Sequence, residues 1–334
     1  MRRFPMYRRL FSHRCVMYSL CAAALWIVTL NYGTVIHGIG STFVKSPVRG
    51  PPFFSSSITN SLDYRSAPTA SPSVFVTTPS SATYTFTLTQ SDATLNCKNW
   101  DISPFIVLKE KLIFLATPKS GSTVVKQILQ KIEGLPIRKH FYNYTHDPHL
   151  SGLKRLCDFS PADAERMLKS DDYLKVVIVR DPHSIVLSYF LDKVVLKNEE
   201  VPAYWDLSFP QLVDRLARTL PKVRRNRYDR IDNHFLPQHI RGDLYKTLPV
   251  YHVIHFDHMQ EGVGKVLSEW RGNLVQRYGL EALLKRYIHP TNATQKLMEY
   301  YTPQLWRQVY EMYVADFKLF GWEATPPGSL KDSG

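Results

Sequence analysis

The stretch that decides the fold is KLIFLATPKSGST, from Lys111 to Thr123, which is followed by VVKQILQKIEG, ending at Gly134. Its first part is a short apolar run, which is typical of a buried strand. The part after the loop has apolar residues at helical spacing, and Gly134 is a helix stop signal. The order of strand, small-residue loop and helix therefore predicts an α/β fold.

The loop between this strand and this helix is suited to an anion. Unpaired backbone N–H groups and the helix dipole both favour negative charge at a helix N-terminus. Lys119 adds a positive charge, and Ser122 and Thr123 add hydroxyl donors. The loop is not a Walker A loop, in which the lysine follows the second glycine, because Lys119 precedes Gly121. The alternative interpretation is an ordinary strand–helix turn with a capping serine.

A second strand–helix unit is predicted at YLKVVIV, residues 173–179, which runs into Arg180-Asp181-Pro182. The following HSIVLSYFLDKVV has helical apolar spacing. Asp181 is a good N-cap, and Pro182 suits the first helical position. Arg180 would lie at the carboxyl end of a strand, where open α/β sheets bind ligands. The alternative role for Arg180 is a structural salt bridge.

Composition limits the class of protein. The chain has 334 residues, of which 44% are hydrophobic and 21% charged, so global disorder is excluded. Lys and Arg number 42 against 29 Asp and Glu, which gives a net charge of +13. This excess indicates an anionic partner: nucleic acid, an acidic membrane surface, an acidic polysaccharide or a phosphate-rich cofactor.

The N-terminus predicts the compartment. Residues 1–14 carry five arginines and no acidic residue, and residues 15–36 are uncharged. About 20 apolar residues at about 1.5 Å each span a bilayer core of about 30 Å. Because cationic flanks stay in the cytosol, we expect a cytosolic tail at 1–14 and a transmembrane signal anchor at 15–36. This is a single-pass type II topology; a cleaved signal peptide and a mitochondrial presequence are the alternatives.

The rest of the chain is then expected to be lumenal. Residues 37–96 are rich in Ser, Thr and Pro and predict an extended stem, and residues 97–334 predict the folded domain. Two sequons, at Asn143 and Asn292, predict N-glycosylation. Cys97 and Cys157 can form a disulfide in an oxidising lumen or remain as two thiols.

Four segments, taken together, resemble the sulfotransferase superfamily, and within it the Golgi carbohydrate sulfotransferases of the HNK-1 and chondroitin/dermatan 4-O group. That group's loop reads approximately PKVACTNWKR, and its second unit approximately RDPFxRLxSAF. The segments DNHFLPQ (232–238) and VYEMYVADFKLFGW (309–322) are similar to the group's HWxPQ and LYxxDFxLFGY. The loop and the second unit keep these residues in register: Pro118, Lys119, Thr123, Lys126, Arg180, Asp181, Pro182, Leu187, Ser188 and Phe190.

The resemblance implies a P-loop-like sulfotransferase fold, with a mostly parallel sheet and helices on both faces. It implies 3′-phosphoadenosine 5′-phosphosulfate (PAPS) as the sulfuryl donor, with no metal required. Arg180 and Ser188 would bind the 3′-phosphate, and Lys119 would neutralise the leaving bisphosphate in an in-line displacement. The 5′-phosphosulfate would lie on the loop residues Pro118, Lys119, Ser120, Gly121, Ser122 and Thr123.

A base must take the proton of the acceptor hydroxyl. His140 and His234 are the candidates, and the carboxylates Asp147 and Asp232 are the alternatives. The expected acceptor is an anionic or neutral glycan, either a glycosaminoglycan or a glycoprotein glycan. The basic segment at 221–230 either binds this glycan or is a solvated surface.

The sequence therefore predicts a Golgi membrane enzyme, a PAPS-dependent carbohydrate sulfotransferase with its catalytic domain in the lumen. One alternative is a P-loop kinase-like nucleotide enzyme, in which Asp181 would bind magnesium. Another is a non-catalytic, glycan-binding type II membrane protein on the same fold. Nucleic acid is not an expected partner, because the signal anchor places the domain in the lumen.

Overall fold

The computed structural model describes residues 85–98, 102–137, 142–196, 204–222, 231–286 and 291–326. The predicted cytosolic tail, the predicted signal anchor and most of the predicted stem lie outside these ranges. Among the described residues, no helix combines the length and the apolar character that crossing a bilayer requires.

The centre of the fold is a mixed sheet, which has five strands within the described ranges, in the order β3-β1-β2-β4-β5. The strands are β1 (Phe105–Val107), β2 (Leu112–Leu115), β3 (Lys154–Arg155), β4 (Leu174–Val179) and β5 (His252–His255). β2, β4 and β5 run parallel, whereas β1 pairs antiparallel with both β2 and β3. The α/β class is confirmed, but parallel pairing is limited to the half of the sheet that holds the two predicted units.

Helices surround this sheet and carry much of the remaining chain. In chain order they are α1 (Ser122–Glu133), α2 (Tyr142–His146), α3 (Pro148–Ser151), α4 (Pro161–Lys169), α5 (Pro182–Tyr189), α6 (Phe209–Thr219), α7 (Leu244–Thr247), α8 (Met259–Glu269), α9 (Leu274–Tyr278), α10 (Glu281–Leu284), α11 (Leu297–Tyr300), α12 (Pro303–Met312) and α13 (Val314–Phe320). A π-helical turn, Phe190–Val195, continues α5. As predicted, Asp181 caps α5, because its carboxylate accepts the Ser184 N–H at 2.9 Å.

Alternate residues of β2 face two different apolar cores. Leu112 and Phe114 pack with α1, α8 and α9 on one face. Ile113 and Leu115 pack with α4 on the other face. Side chains of a strand alternate between faces, so this short run supports helices on both sides of the sheet. A third core joins α5, α6, α12 and α13 beside the sheet.

The packed part of the chain begins before Cys97. Leu88 and Leu95 are buried in the core that contains α4. Cys97 itself is disulfide-bonded to Cys157, with the two Cα atoms 5.5 Å apart. Residues 85–96, which the composition assigned to the stem, therefore belong to the folded domain. Their high Ser and Thr content indicated a stem, although a few apolar side chains, Leu88 and Leu95 among them, pack in the core.

Candidate active site

The loop Pro118–Thr123 joins β2 to α1, and two of its residues have a left-handed backbone. Lys119 has φ of +61° and Gly121 has φ of +74°. Glycine suits position 121 because its positive φ is strained for other residues, and a Cβ atom there would also lie 2.2 Å from the Met259 sulfur, which would have to move. Gly121 is the N-cap of α1, and no side chain caps this helix. The first N–H groups of α1 therefore lack an acceptor within the helix.

Some polar groups of the loop form hydrogen bonds with neighbouring residues, and one polar side chain does not among the described residues. The Ser120 N–H donates to the Thr117 carbonyl at 3.3 Å, so its hydrogen is used within the turn. The Thr117 hydroxyl donates to the carbonyl of Ile178 in β4. The buried Ser120 hydroxyl has no hydrogen-bond partner in the part of the chain that the structure describes. A buried hydroxyl without a partner at an uncapped helix N-terminus fits an anionic ligand.

The ammonium group of Lys119 is paired with a residue that the sequence did not point to. Its Nζ donates to Asp192 Oδ2 at 2.7 Å, and Lys193 Nζ lies 3.2 Å from the same oxygen. Burial lowers the pKa of Lys119; the Asp192 carboxylate opposes this effect, and Lys193 and Arg180 add to it. Positive charge is thus concentrated at the loop, and an anion beside it would offset that charge.

Arg180 follows β4 and reaches across to the loop. Its Nη1 donates to the Lys119 carbonyl at 2.7 Å, and its guanidinium lies 4.3 Å from the centroid of the Phe256 ring. Its buried Nε has no acceptor among the described residues, which also contain no carboxylate in ion-pair contact with it. Burial lowers the pKa of Arg180 to about 10, so the side chain remains charged at neutral pH. These contacts place the two predicted anion-binding units next to each other.

Ser188, in α5, meets a distant segment of the chain beside Arg180. The Ser188 hydroxyl lies 3.0 Å from Thr291 Oγ1. Thr294 Oγ1 lies 3.4 Å from Arg180 Nη2 and 3.4 Å from the Ser184 hydroxyl. No sequence pattern points to either threonine as part of this site, because both lie more than 100 positions after Arg180 and Ser188 and form no local pattern with them.

The two remaining family-like segments fix the backbone of Arg180. The side chain of Gln238 accepts the Arg180 N–H at 2.9 Å and donates to the Arg180 carbonyl at 2.7 Å. The Gln238 N–H in turn donates to Asp316 at 2.7 Å. Asp316 is fully buried and also accepts the His239 N–H at 2.9 Å. These segments therefore have a structural role in holding the site.

His234 forms a dyad with Asp232. The Nδ1 atom of His234 lies 2.6 Å from one oxygen of Asp232, and the Tyr189 hydroxyl donates to the other oxygen at 2.8 Å. Burial would raise the pKa of Asp232, but hydrogen bonds from His234 and Tyr189 outweigh it and lower this pKa well below the usual range. Asp232 is therefore a poor base that orients the imidazole, and the Nε2 atom of His234 is left to accept a proton.

The other predicted residues are placed as follows. Asp147 is the N-cap of α3 and accepts the N–H groups of His149 and Leu150, at 2.8 and 3.3 Å. Asn292 is exposed. His140, the basic segment from residue 223 to residue 230 and the side chain of Asn143 lie outside what the structure describes.

A further histidine, to which no sequence motif points, lies next to the loop. His146, at the end of α2, has Nε2 3.0 Å from Thr123 Oγ1 and Nδ1 3.0 Å from Lys126 Nζ. The only signal in the sequence was its place in the segment after α1, where His140 was considered. Its spacing from the loop gave no reason to prefer it.

The loop between β2 and α1 thus contacts an arginine that follows the neighbouring parallel strand β4, an arrangement that suits an anionic ligand. The chain belongs to the sulfotransferase family, whose model matches residues 104–323, about two thirds of the chain. It is therefore a sulfotransferase, and the resemblance noted in the sequence is confirmed.

The individual relatives found for this chain are named carbohydrate sulfotransferase 10. Carbohydrate sulfotransferase 10 of Homo sapiens is 26% identical over 259 residues, which cover 70% of this chain and 72% of that protein. The Xenopus laevis protein of that name is 27% identical over 243 residues, covering 66% and 67%. The Danio rerio protein is 33% identical over 122 residues, covering 34% and 32%. No solved structure shows a significant match to this chain.

Proposed function

We propose that this sulfotransferase transfers a sulfuryl group from PAPS to a hydroxyl of a carbohydrate, in a glycosaminoglycan or a glycoprotein glycan. The observation that carries the proposal is the 2.7 Å hydrogen bond from Arg180 to the Lys119 carbonyl. This contact supports a site in which one nucleotide, with anionic groups on its 5′ and 3′ sides, would contact both predicted anion-binding elements. The name of the relatives, carbohydrate sulfotransferase, supports the class of acceptor.

The residues present fit such a donor. The N–H groups of Gly121, Ser122 and Thr123, with the Ser120 hydroxyl, would hold the 5′-phosphate, and Pro118 would shape the entry to the loop. Arg180 and Ser188 would hold the 3′-phosphate, where a guanidinium offers a fork of donors that matches phosphate oxygens. Thr291 and Thr294 would add two hydroxyls on the same side.

Lys119 would supply the charge that the reaction needs. As the bond from sulfur to the 5′-phosphate oxygen breaks and the bond to the acceptor oxygen forms, negative charge develops on the leaving bisphosphate. A positive group in a buried site acts on this charge more strongly than it would in water. Asp192 holds Lys119 in this site, so we assign Asp192 the role of positioning the ammonium group.

The acceptor hydroxyl must lose its proton to a base during the transfer. His234 is the candidate that the described contacts support, because Asp232 holds its Nδ1 and leaves Nε2 as the acceptor. His140 is the second candidate, on the sequence pattern alone. The reaction itself needs only positioning, positive charge and a base, so we expect transfer to proceed without a metal ion.

We also propose that the enzyme is a single-pass type II protein of the Golgi membrane, anchored by residues 15–36, with its catalytic domain in the lumen. The Cys97–Cys157 disulfide supports an oxidising compartment. The exposed position of Asn292 leaves that sequon accessible to glycosylation. Glycosidase treatment of the protein made in cells should lower its apparent mass, and an unchanged mass would contradict this placement.

The activity is tested by incubating the full-length protein with PAPS labelled in its sulfuryl group and a panel of desulfated glycosaminoglycans and N-glycans, with a chelator present. We expect label in at least one glycan. Lys119→Ala should lower turnover by about 10²–10³, the effect of losing one transition-state donor, whereas Lys318→Ala, at an exposed position, should not. Transfer of phosphate from ATP in the presence of magnesium, without sulfuryl transfer, would support the kinase alternative instead.

A further inference from the structure

His146 joins two residues of the same helix face at the loop. Its Nε2 lies 3.0 Å from Thr123 Oγ1 and its Nδ1 lies 3.0 Å from Lys126 Nζ. Thr123 and Lys126 are three residues apart on α1, a spacing that places side chains side by side on a helix. Both nitrogen atoms of one imidazole are thus occupied next to the helix N-terminus.

Lys126 fixes the direction of these hydrogen bonds. Its side chain is fully buried, and its Nζ lies 5.0 Å from the centroid of the Phe105 ring. An ammonium group has donors and no acceptor, so Nδ1 of His146 must accept the hydrogen bond. A neutral imidazole with an unprotonated Nδ1 carries its hydrogen on Nε2. His146 therefore donates to the oxygen of Thr123.

This direction determines what the Thr123 hydroxyl can do. A hydroxyl can rotate and can donate to a backbone carbonyl of its own helix. Its hydrogen would then not be available to a ligand. With Oγ1 accepting the His146 N–H, the hydroxyl hydrogen cannot be donated to His146 and is available to another acceptor. At the uncapped N-terminus of α1, the acceptor that the helix favours is an anion.

We propose that His146 is a positioning residue, which makes the Thr123 hydroxyl a hydrogen-bond donor to the 5′-phosphate of the bound nucleotide. The proposal rests on the proposed function for the identity of the ligand. His146 acts through Thr123 and does not itself touch the reacting atoms. Lys126, which sets the tautomer of His146, is the origin of the relay.

A double-mutant cycle tests the relay, with calorimetry of adenosine 3′,5′-bisphosphate on the full-length protein. His146→Ala and Thr123→Val should each weaken binding by about tenfold, the scale of one hydrogen bond to a charged group. The double variant should bind like Thr123→Val alone, because His146 acts through that hydroxyl. His146→Gln, whose amide offers one acceptor and one donor, should recover part of the loss.

Two matched controls separate the relay from general packing. His149→Ala, at an exposed histidine in the neighbouring helix α3, should bind the bisphosphate like the wild type. Adenosine 3′-monophosphate, which lacks the 5′-phosphate, should bind the wild type and His146→Ala equally well. Thermal unfolding of every variant measures whether the folded fractions are equal. If His146→Ala folds poorly, His146→Gln keeps the test valid.

The outcomes are distinct. Losses that add in the double variant, or wild-type affinity in His146→Ala, would overturn the role of His146 while leaving the proposed function intact. A wild-type protein that does not bind adenosine 3′,5′-bisphosphate would overturn the proposed function, and the relay with it. If His146→Ala lost as much affinity for adenosine 3′-monophosphate as for adenosine 3′,5′-bisphosphate, His146 would have a merely structural role.

Discussion

The side-chain amide of Gln238 makes both of its hydrogen bonds with the backbone of one residue, Arg180, at 2.9 and 2.7 Å. The side chain of Asp316, in α13, accepts the backbone N–H of Gln238 at 2.7 Å. On the other side, the Arg180 guanidinium donates to the carbonyl of Lys119. One chain of hydrogen bonds therefore runs from α13 through Gln238 and Arg180 to the loop, and we expect it to fix the position of Arg180.

Replacing Gln238 with alanine should weaken both the fold and nucleotide binding. The change leaves the buried N–H and carbonyl of Arg180 without partners, which costs about 1–3 kcal/mol of unfolding free energy. Denaturant unfolding measures the stability and calorimetry measures the affinity. Gln276→Ala, at an exposed glutamine, is the matched control. Unchanged affinity in Gln238→Ala at equal folded fraction would show that the amide does not position Arg180.

The ion pair between Lys119 and Asp192 predicts a shift in pH dependence. The Asp192 carboxylate raises the pKa of Lys119 against the lowering effect of burial. Asp192→Asn removes that support, so the pKa of Lys119 falls further and the charge is lost at a lower pH. Because turnover needs the charged lysine, the alkaline limb of the kcat profile should move to lower pH.

The control for this profile is Asp214→Asn, which removes a carboxylate from an exposed ion pair on α6. Its alkaline limb should coincide with that of the wild type. Asp192→Glu keeps the charge and should retain most of the wild-type profile. An Asp192→Asn limb at the wild-type pH would show that Lys119 does not control it.

The base is tested by separating chemistry from binding. His234→Ala should lower turnover by about 10²–10⁴, the range for a general base, and leave the affinity for adenosine 3′,5′-bisphosphate unchanged. Asp232→Asn should lower turnover less, because the imidazole stays in place but loses its ionic partner. His140→Ala tests the second candidate in the same assay. If neither histidine variant loses more than about tenfold after correction for folded protein, the base lies elsewhere.

The disulfide predicts sensitivity to reductant. Cys97 and Cys157 are 60 positions apart, and closing a loop of this size typically stabilises a domain by about 2–4 kcal/mol. Reduction should lower the Tm of the wild type. The double variant Cys97→Ser/Cys157→Ser should have the lower Tm with or without reductant. If the Tm of the wild type were the same with and without reductant, the disulfide would not stabilise the fold.

The parts of this fold that sequence reasoning predicted are those with a local cause. The apolar run before the loop became β2, and the helical spacing after it became α1. The run at 173–179 became β4, and Asp181 became a helix cap. In each case strand burial, helix periodicity or capping acts over a few neighbouring residues, so the pattern is complete within one segment.

The parts that were missed depend on how segments pack. Asp192 reaches Lys119 from 73 positions away, and Thr294 reaches Arg180 from 114 positions away. Neither pair shares a motif; the packing of the π-helical turn after α5 brings Asp192 to Lys119, and the packing of the segment after residue 290 brings Thr294 to Arg180. The short strands β1 and β3 have three and two residues, too few for a periodic pattern, so the antiparallel half of the sheet was not predicted.

The proposed function depends on one nucleotide that bridges the loop and Arg180. It is tested most directly by calorimetry that compares adenosine 3′,5′-bisphosphate with adenosine 5′-monophosphate on the wild type and on Arg180→Ala. We expect the wild type to prefer the bisphosphate and Arg180→Ala to bind it more weakly by about 2–4 kcal/mol, because a charged pair loses one partner. Equal affinity of the wild type for the two nucleotides, or an undiminished preference in Arg180→Ala, would contradict the claim.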